Sequence, residues 1–187
     1  MGKLVVTEFV TLDGVFEDPG GAEGFEHGGW SFQFDRSPEG DKFKFDELAA
    51  ADAQLLGRVT YQAFAAAWPN MAGDPFGDKM NSMPKYVVSS TLETADWENS
   101  TIINGDAMER IAALKQELDG DILVAGSGQL VSGLTEAGLV DEFHLMVFPV
   151  ALGKGRRLFE GLSSLAKLRL ASTQEAGDAL ILTYVPQ

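Results

Sequence analysis

The chain has no cysteine, which excludes disulfide scaffolds, thiol nucleophiles and thiolate metal sites. Histidine is nearly as scarce: His27 and His144 lie far apart and make no metal motif. Cationic side chains are outnumbered, 14 Lys and Arg against 28 Asp and Glu, for a net charge of −14. That balance argues against a nucleic-acid partner, which wants a basic face. It also means that a phosphate-bearing ligand is held only where local Arg, Lys and backbone amides overcome the field of the whole molecule. No apolar run approaches the ~20 residues of a membrane span. The opening MGKLVVTEFVTLDG lacks the apolar stretch and cleavage site of a signal peptide, so a cytoplasmic protein is expected.

What is present is the composition of an ordinary globular domain: 187 residues, 45% hydrophobic and 22% charged, enough to bury a sizeable core. No linker, repeat or low-complexity tract divides it, so residues 1–187 read as one domain. Lys3 to Thr11 is rich in β-branched residues and predicts a first strand, closed by the turn Leu12-Asp13-Gly14. Residues 14–40 are rich in Gly, Asp and Pro with scattered aromatics, the pattern of a lid over a pocket or of a packed surface connection. Asp41 to Asp52 predicts a helix and Ala53 to Leu56 a short strand stopped by Gly57. Tyr61, Phe64, Ala65 and Trp68 then form one helical stripe within 58–68. Pro69 to Met83 reads as a loop, Lys85 to Val88 and Thr101 to Ile103 as strands. Asp106 with Glu109 resembles a capping box opening another helix. Leu168 to Gln174 and Ala179 to Val185, joined through Gly177-Asp178, predict an antiparallel hairpin. Alternating strands and helices predict an α/β fold with a mostly parallel sheet covered on both faces.

The stretch from Asp121 to Gly155 carries the chemistry. A strand over 122–125 meets the turn Gly126-Ser127-Gly128, a short helix, and an apolar strand over 142–150. A glycine turn feeding a helix start leaves backbone N–H groups unpaired at the positive end of the helix dipole, a place to hold an anion such as a pyrophosphate. The pattern is not a Rossmann fingerprint: Val131 stands where its third glycine belongs, and the glycines follow the fifth strand rather than the first. Arg58, Val59 and Thr60 open a second such junction, and Ser89-Ser90-Thr91 place three hydroxyls at a strand end, where they either border a ligand or cap the turn.

Four segments taken together, LLGRVTYQAFAAAWP (55–69), KYVVSSTL (85–92), VAGSGQLVSGL (124–134) and LVDEFHLMVFPVALGKGRRLF (139–159), with TLDG at 11–14, resemble the dihydrofolate-reductase-like superfamily. The branch is the one related to the C-terminal reductase domain of bacterial riboflavin biosynthesis. The resemblance spans nearly the whole chain. It implies a three-layer α/β/α fold with a central sheet of about eight strands, an NADPH cofactor and hydride transfer to a small heterocyclic or carbonyl substrate, pteridine- or riboflavin-precursor-like. It assigns Gly57, Arg58 and Thr60 to a dinucleotide phosphate, Ser89 and Ser90 to the adenosine and its 2′-phosphate, and Ala125, Gly126, Ser127, Gly128, Gln129 and Leu130 to the pyrophosphate. Two departures stand out: Ala125-Gly126 replaces a Gly-Gly pair, and Val59 stands where some members place a basic residue, which leaves NADPH against NADH open. Several members are homodimers, which is expected here as well.

For the proton, Trp30 and Asp35 have the spacing of the tryptophan and catalytic acid of dihydrofolate reductases. A carboxyl held among Trp30, Phe32 and Phe34 has a raised pKa and suits a donor; the other reading makes Asp35 a solvated loop residue or a helix cap. Asp13, Trp30 and Phe148 are the expected substrate-lining residues, although Asp13 reads first as a turn-former. His144 reads as a core histidine or a catalyst, and Lys154, Arg156 and Arg157 as a phosphate subsite or a solvated rim. The alternative to a reductase is a non-catalytic dinucleotide- or ligand-binding module that kept the fold and lost the chemistry.

Overall fold

β1 (Leu4–Thr11) occupies the middle of the sheet and is buried along almost its entire length. Its sequence LVVTEFVT does not alternate apolar with polar, as expected of a strand covered on both faces. The structure, a computed structural model, describes residues 2–187. Around β1 stand β2 (Ala51–Gly57), β3 (Lys85–Val88), β4 (Ser100–Ile103), β5 (Asp121–Ala125), β6 (Glu142–Phe148), β7 (Leu168–Ala176) and β8 (Ala179–Pro186). They form one 8-stranded sheet in the order β4-β3-β2-β5-β1-β6-β8-β7. The pairings from β4 to β6 are parallel, and β8 joins β6 and β7 antiparallel. The mostly parallel sheet with a closing hairpin is the expected one.

Helices cover both faces. α1 (Ser37–Ala50), α2 (Arg58–Ala67) and α3 (Pro75–Ser82) pack Leu48, Tyr61 and Met80 against Val5, Leu56, Val87 and Leu123. α4 (Ala107–Glu117) and α5 (Gly128–Glu136) pack Ile111, Leu114, Val131 and Leu134 against Leu4, Val6, Leu55 and Val124 on the other side. Asp106 caps α4 as its sequence predicts, accepting the Glu109 N–H at 3.1 Å.

Two expectations need correction. α1 begins at Ser37, four residues before Asp41, because the Asp35 carboxylate accepts the Ser37 N–H at 2.9 Å and Pro38 follows in the first turn, where its missing N–H costs nothing. The stretch 69–83 is not simply a loop: it holds a short 3₁₀ turn over Trp68–Met71 and then α3. Asp74 starts α3 by accepting from the N–H groups of Phe76 and Gly77 at 3.0 and 3.1 Å, with Pro75 next. Gly77 is required there, since a Cβ would stand 2.2 Å from the Met71 carbonyl oxygen.

Candidate functional site

β2 and β5 are adjacent and parallel, yet the chain leaves β2 toward β3 and leaves β5 toward β6, on opposite sides. The order of the strands reverses between them, and in open α/β sheets that crevice, outside the carboxyl ends, is where ligands sit. α2 and α5 both start there. Gly126 (φ 58°) and Ser127 (φ 62°) lie in the left-handed region, and a Cβ on Gly126 would stand 2.7 Å from Thr60 Oγ1. Only glycine lets the turn come this close to α2.

The two helix starts are fastened together. The Gly57 N–H donates to Ser127 Oγ at 2.9 Å, the Ser127 N–H donates to Thr60 Oγ1 at 3.0 Å, and the Ser127 hydroxyl donates to the Ala125 carbonyl at 3.1 Å. The amides of Gly57 and Ser127, expected to face a ligand, are therefore engaged within the protein. The first three N–H groups of each helix, Arg58 to Thr60 and Gly128 to Leu130, find no acceptor among the described residues, and neither helix has a side-chain cap. Two helix dipoles thus point their positive ends into one crevice.

Arg58 is exposed at the mouth, its guanidinium donating to Gln62 at 3.1 Å, and Val59 and Gln129 are exposed beside it. Ser89 is buried and accepts the N–H groups of Thr91 and Leu92 at 3.2 and 2.9 Å, a turn cap whose own O–H is still available to donate. Ser90 is exposed next to it, and Leu130 is buried against the core.

Two residues that the sequence reading passed over belong to this site. Glu8, on β1 beside the turn, is 5% exposed, and its Oε1 has no hydrogen-bond partner. Burial pushes its pKa well above the usual carboxylate range, against the opposing pull of the Gly126 backbone N–H and of Lys44. A lone acid inside KLVVTEFVT was the available signal. Phe16 lies over the first turn of α5, its Cζ 2.5 Å from where a Cβ on Gly128 would stand. Its ring is flanked by the Arg156 guanidinium at 5.7 Å.

The expected substrate residues fall elsewhere. Trp30 and Phe148 are 1% and 0% exposed and meet edge to face at 5.4 Å, with Phe9 and Phe34 around Phe148. Trp30 donates its indole N–H to the Glu17 carbonyl at 2.9 Å. Neither lines an open pocket; they anchor residues 12–36 onto β1 and β6, where burying aromatic area gains most. Asp13 is a turn-former. The Thr11 hydroxyl first, then the N–H groups of Gly153 and Leu152, hold its pKa down at about 2. Asp35 is exposed and sits between the α1 start and the β7–β8 turn, its own N–H donating to Asp178 at 2.9 Å. It is a cap rather than a carboxyl enclosed by aromatics.

Residues 14–36, up to the start of α1, form a fastened loop. The buried Asp18 gathers the N–H groups of Glu23 and Phe25 at 3.0 and 3.1 Å. Lys154, Arg156 and Arg157 resolve into clamps on it: Lys154 to Glu26 at 2.9 Å, Arg156 to Glu17 and Glu23 at 2.9 and 3.2 Å, and Arg157 to the Asp13 carbonyl at 2.9 Å. His144 is tied to Glu47 at 3.0 Å and Glu142 at 3.2 Å, as a hydrogen-bonded core histidine is.

Topology, crevice and paired helix starts define a dihydrofolate-reductase-like protein. The chain belongs to the RibD C-terminal domain family, whose model matches residues 2–182. It is 34% identical to YwjB of Bacillus subtilis (strain 168) over 183 residues, 98% of this chain and 97% of that one. The solved structure of a putative riboflavin biosynthesis protein from Shewanella sp. PV-4 superposes with a TM-score of 0.78 at 21% identity, covering 100% of this chain and 99% of that one. Dihydrofolate reductase from Enterococcus faecalis, complexed with NADP(H), superposes with a TM-score of 0.59 at 14% identity over 100% and 97% of the two chains. Among the described residues, no helix is long and apolar enough to cross a membrane.

Proposed function

We propose that the chain is an NADPH-dependent reductase that transfers hydride to a small heterocyclic or carbonyl substrate, pteridine- or riboflavin-precursor-like. The observation that carries the reading is the pair of helix starts fused through Ser127 and Thr60 at the sheet's reversal point. Their unaccepted N–H groups fit a doubly charged pyrophosphate, and the glycines at 57, 126 and 128 allow close backbone approach. The family and the NADP(H) complex of a structural relative support a nicotinamide cofactor.

When bound, the nicotinamide supplies the hydride. The chain's own residues bind and orient it. The α5 start takes the pyrophosphate through Gly128, Gln129 and Leu130, and Thr60 and Ser127 keep the two helix starts in register. Arg58, exposed at the mouth with Ser89 and Ser90 along the same crevice, is placed for the 2′-phosphate that distinguishes NADPH from NADH. Phe16 and its loop exclude water from the turn.

A second reading, a binding module without chemistry, is favoured by one observation: Asp35 is an exposed cap. Titration with NADPH and NADH, followed by nicotinamide fluorescence, tests the common core of both. Arg58→Ala weakens NADPH about tenfold or more, a loss within the 1.5–3 kcal/mol range of a charge-assisted bond, and leaves NADH nearly unchanged. Absence of binding by either nucleotide rejects the dinucleotide site. Oxidation of bound NADPH by a panel of pteridines, pyrimidines and carbonyl compounds then separates reductase from module.

A further inference from the structure

Glu8 is a buried acid without a structural reason to be an acid. It stands on the central strand, its side chain is 95% withdrawn from solvent, and one oxygen makes no hydrogen bond. Thr7 pairs with Ala125 across the β1–β5 ladder, which sets the next residue, Glu8, level with Gly126 and the turn. An apolar residue would fill the same space at lower cost, since an unsatisfied buried polar atom is destabilising by about 1–3 kcal/mol. An unpaired oxygen beside an anion-binding helix start has a straightforward use in a complex.

We propose that Glu8 is a ligand-binding residue of this crevice: its free Oε1, carrying the carboxyl proton, donates a hydrogen bond to the phosphate group seated over the Gly126–Gly128 turn. The proposal rests on the dinucleotide reading and adds to it a specific contact. A carboxyl at this place serves an anion only in its neutral form, because an ionised one repels the phosphate. The charged groups facing Glu8 do not offset an ionised state: Lys44 is paired with Glu47, both on α1, and Glu23 of the 12–36 loop is paired with Arg156. Burial keeps the proton on Glu8, and a phosphate oxygen accepting from it holds the proton further still.

The test is the affinity of the full chain for NADPH, and separately for inorganic pyrophosphate, at pH values from about 6.5 to about 9.5, bracketing the range into which a buried carboxyl titrates. The parent, Glu8→Gln and Glu8→Ala are compared, so that titration of the ligand and of other groups cancels. Glu8→Gln keeps the length of the side chain and supplies a permanent N–H donor, whereas Glu8→Ala does neither. The expected result is that parent and Glu8→Gln bind alike at the acid end. At the alkaline end the parent weakens by about tenfold or more, the equivalent of one pKa unit, while Glu8→Gln does not. Glu8→Ala binds more weakly than Glu8→Gln throughout. Equal pH slopes in parent and Glu8→Gln, or equal affinities in Glu8→Ala and Glu8→Gln, overturn the Glu8 contact while leaving the dinucleotide site standing. If neither probe binds any of the three proteins, the dinucleotide reading fails and the Glu8 contact with it.

Discussion

Ser127 donates its backbone N–H to the Thr60 hydroxyl at 3.0 Å, which fastens the first turn of α5 to the first turn of α2. The bond joins helices on opposite faces of the sheet, at residues 67 apart in sequence. Thr60→Val keeps the shape and removes the acceptor, leaving a half-buried amide unpaired. The expected loss is about 1–3 kcal/mol, read as a lower urea midpoint with an unchanged m-value, together with weaker NADPH binding as the two helix starts lose register.

Glu47 sets an acid limit on stability. Burial pushes its pKa up, but the charge of Lys44 and hydrogen bonds from His144, Lys44 and Thr7 outweigh that and hold it at about 2, below the 4.5 of an ordinary Glu. A folded-state pKa lower than the unfolded one gives stability that is fully present above about pH 4.5 and lost as pH falls toward about 2. The contribution is up to about 3 kcal/mol. Urea unfolding between these limits shows a slope that Glu47→Gln flattens.

Glu8 has the opposite sign. Its folded pKa is raised, so the folded state binds more protons than the unfolded chain above about pH 4.5, and stability falls as pH rises from there through the folded pKa. Glu8→Gln is expected to unfold at higher urea than the parent at neutral pH, with the difference vanishing in acid.

Lys85 is fully buried, and its ammonium donates to the carbonyls of Asn81, Met83 and Glu98 at 2.6, 2.9 and 2.9 Å while lying 4.2 Å from the Trp97 ring centroid. It ties the end of α3 to β3 and to the segment before β4. Lys85→Met fills the volume but strands three carbonyls, at a total of about 3 kcal/mol or more. Thermal unfolding falls accordingly, with nucleotide affinity unaffected.

Asp35→Asn separates cap from catalyst. Asn caps as well as Asp, so stability changes by no more than about 0.5 kcal/mol, whereas Asp35→Ala costs about 1 kcal/mol. Neither substitution shifts the pH dependence of NADPH binding or of any NADPH oxidation found by screening.

Most elements were legible because their signals are local. The Tyr61, Phe64, Ala65 and Trp68 stripe, Asp106 with Glu109, and the apolar runs of β1 and β6 each state a backbone preference within a few residues. α3 escaped because Asp74-Pro75, a helix start, has the composition of a turn, and Gly77 looks like a breaker until Met71 is seen against it. At the site, the glycine turn and Arg58 junction were readable singly as helix starts able to receive an anion. That Ser127 bridges them, and that its amide is thereby engaged, follows from the pairing of β2 with β5.

Asp35 and Glu8 mark the boundary. Spacing from Trp30 offered Asp35 as a buried acid beside its reading as a solvated cap; burial depends on what packs around a side chain, and Asp178 and the start of α1 leave Asp35 in water. Glu8 is withdrawn from solvent because β1 lies between β5 and β6 with the glycine turn alongside, a placement made by strand order. The amino-acid sequence by itself determined the strands and helices, the glycines that permit left-handed turns, and the absence of thiol chemistry. Tertiary structure alone decided which carboxyl loses its water, which cations are already paired and which amides remain free. Desolvation and hydrogen bonding are properties of neighbours brought together from distant parts of the chain.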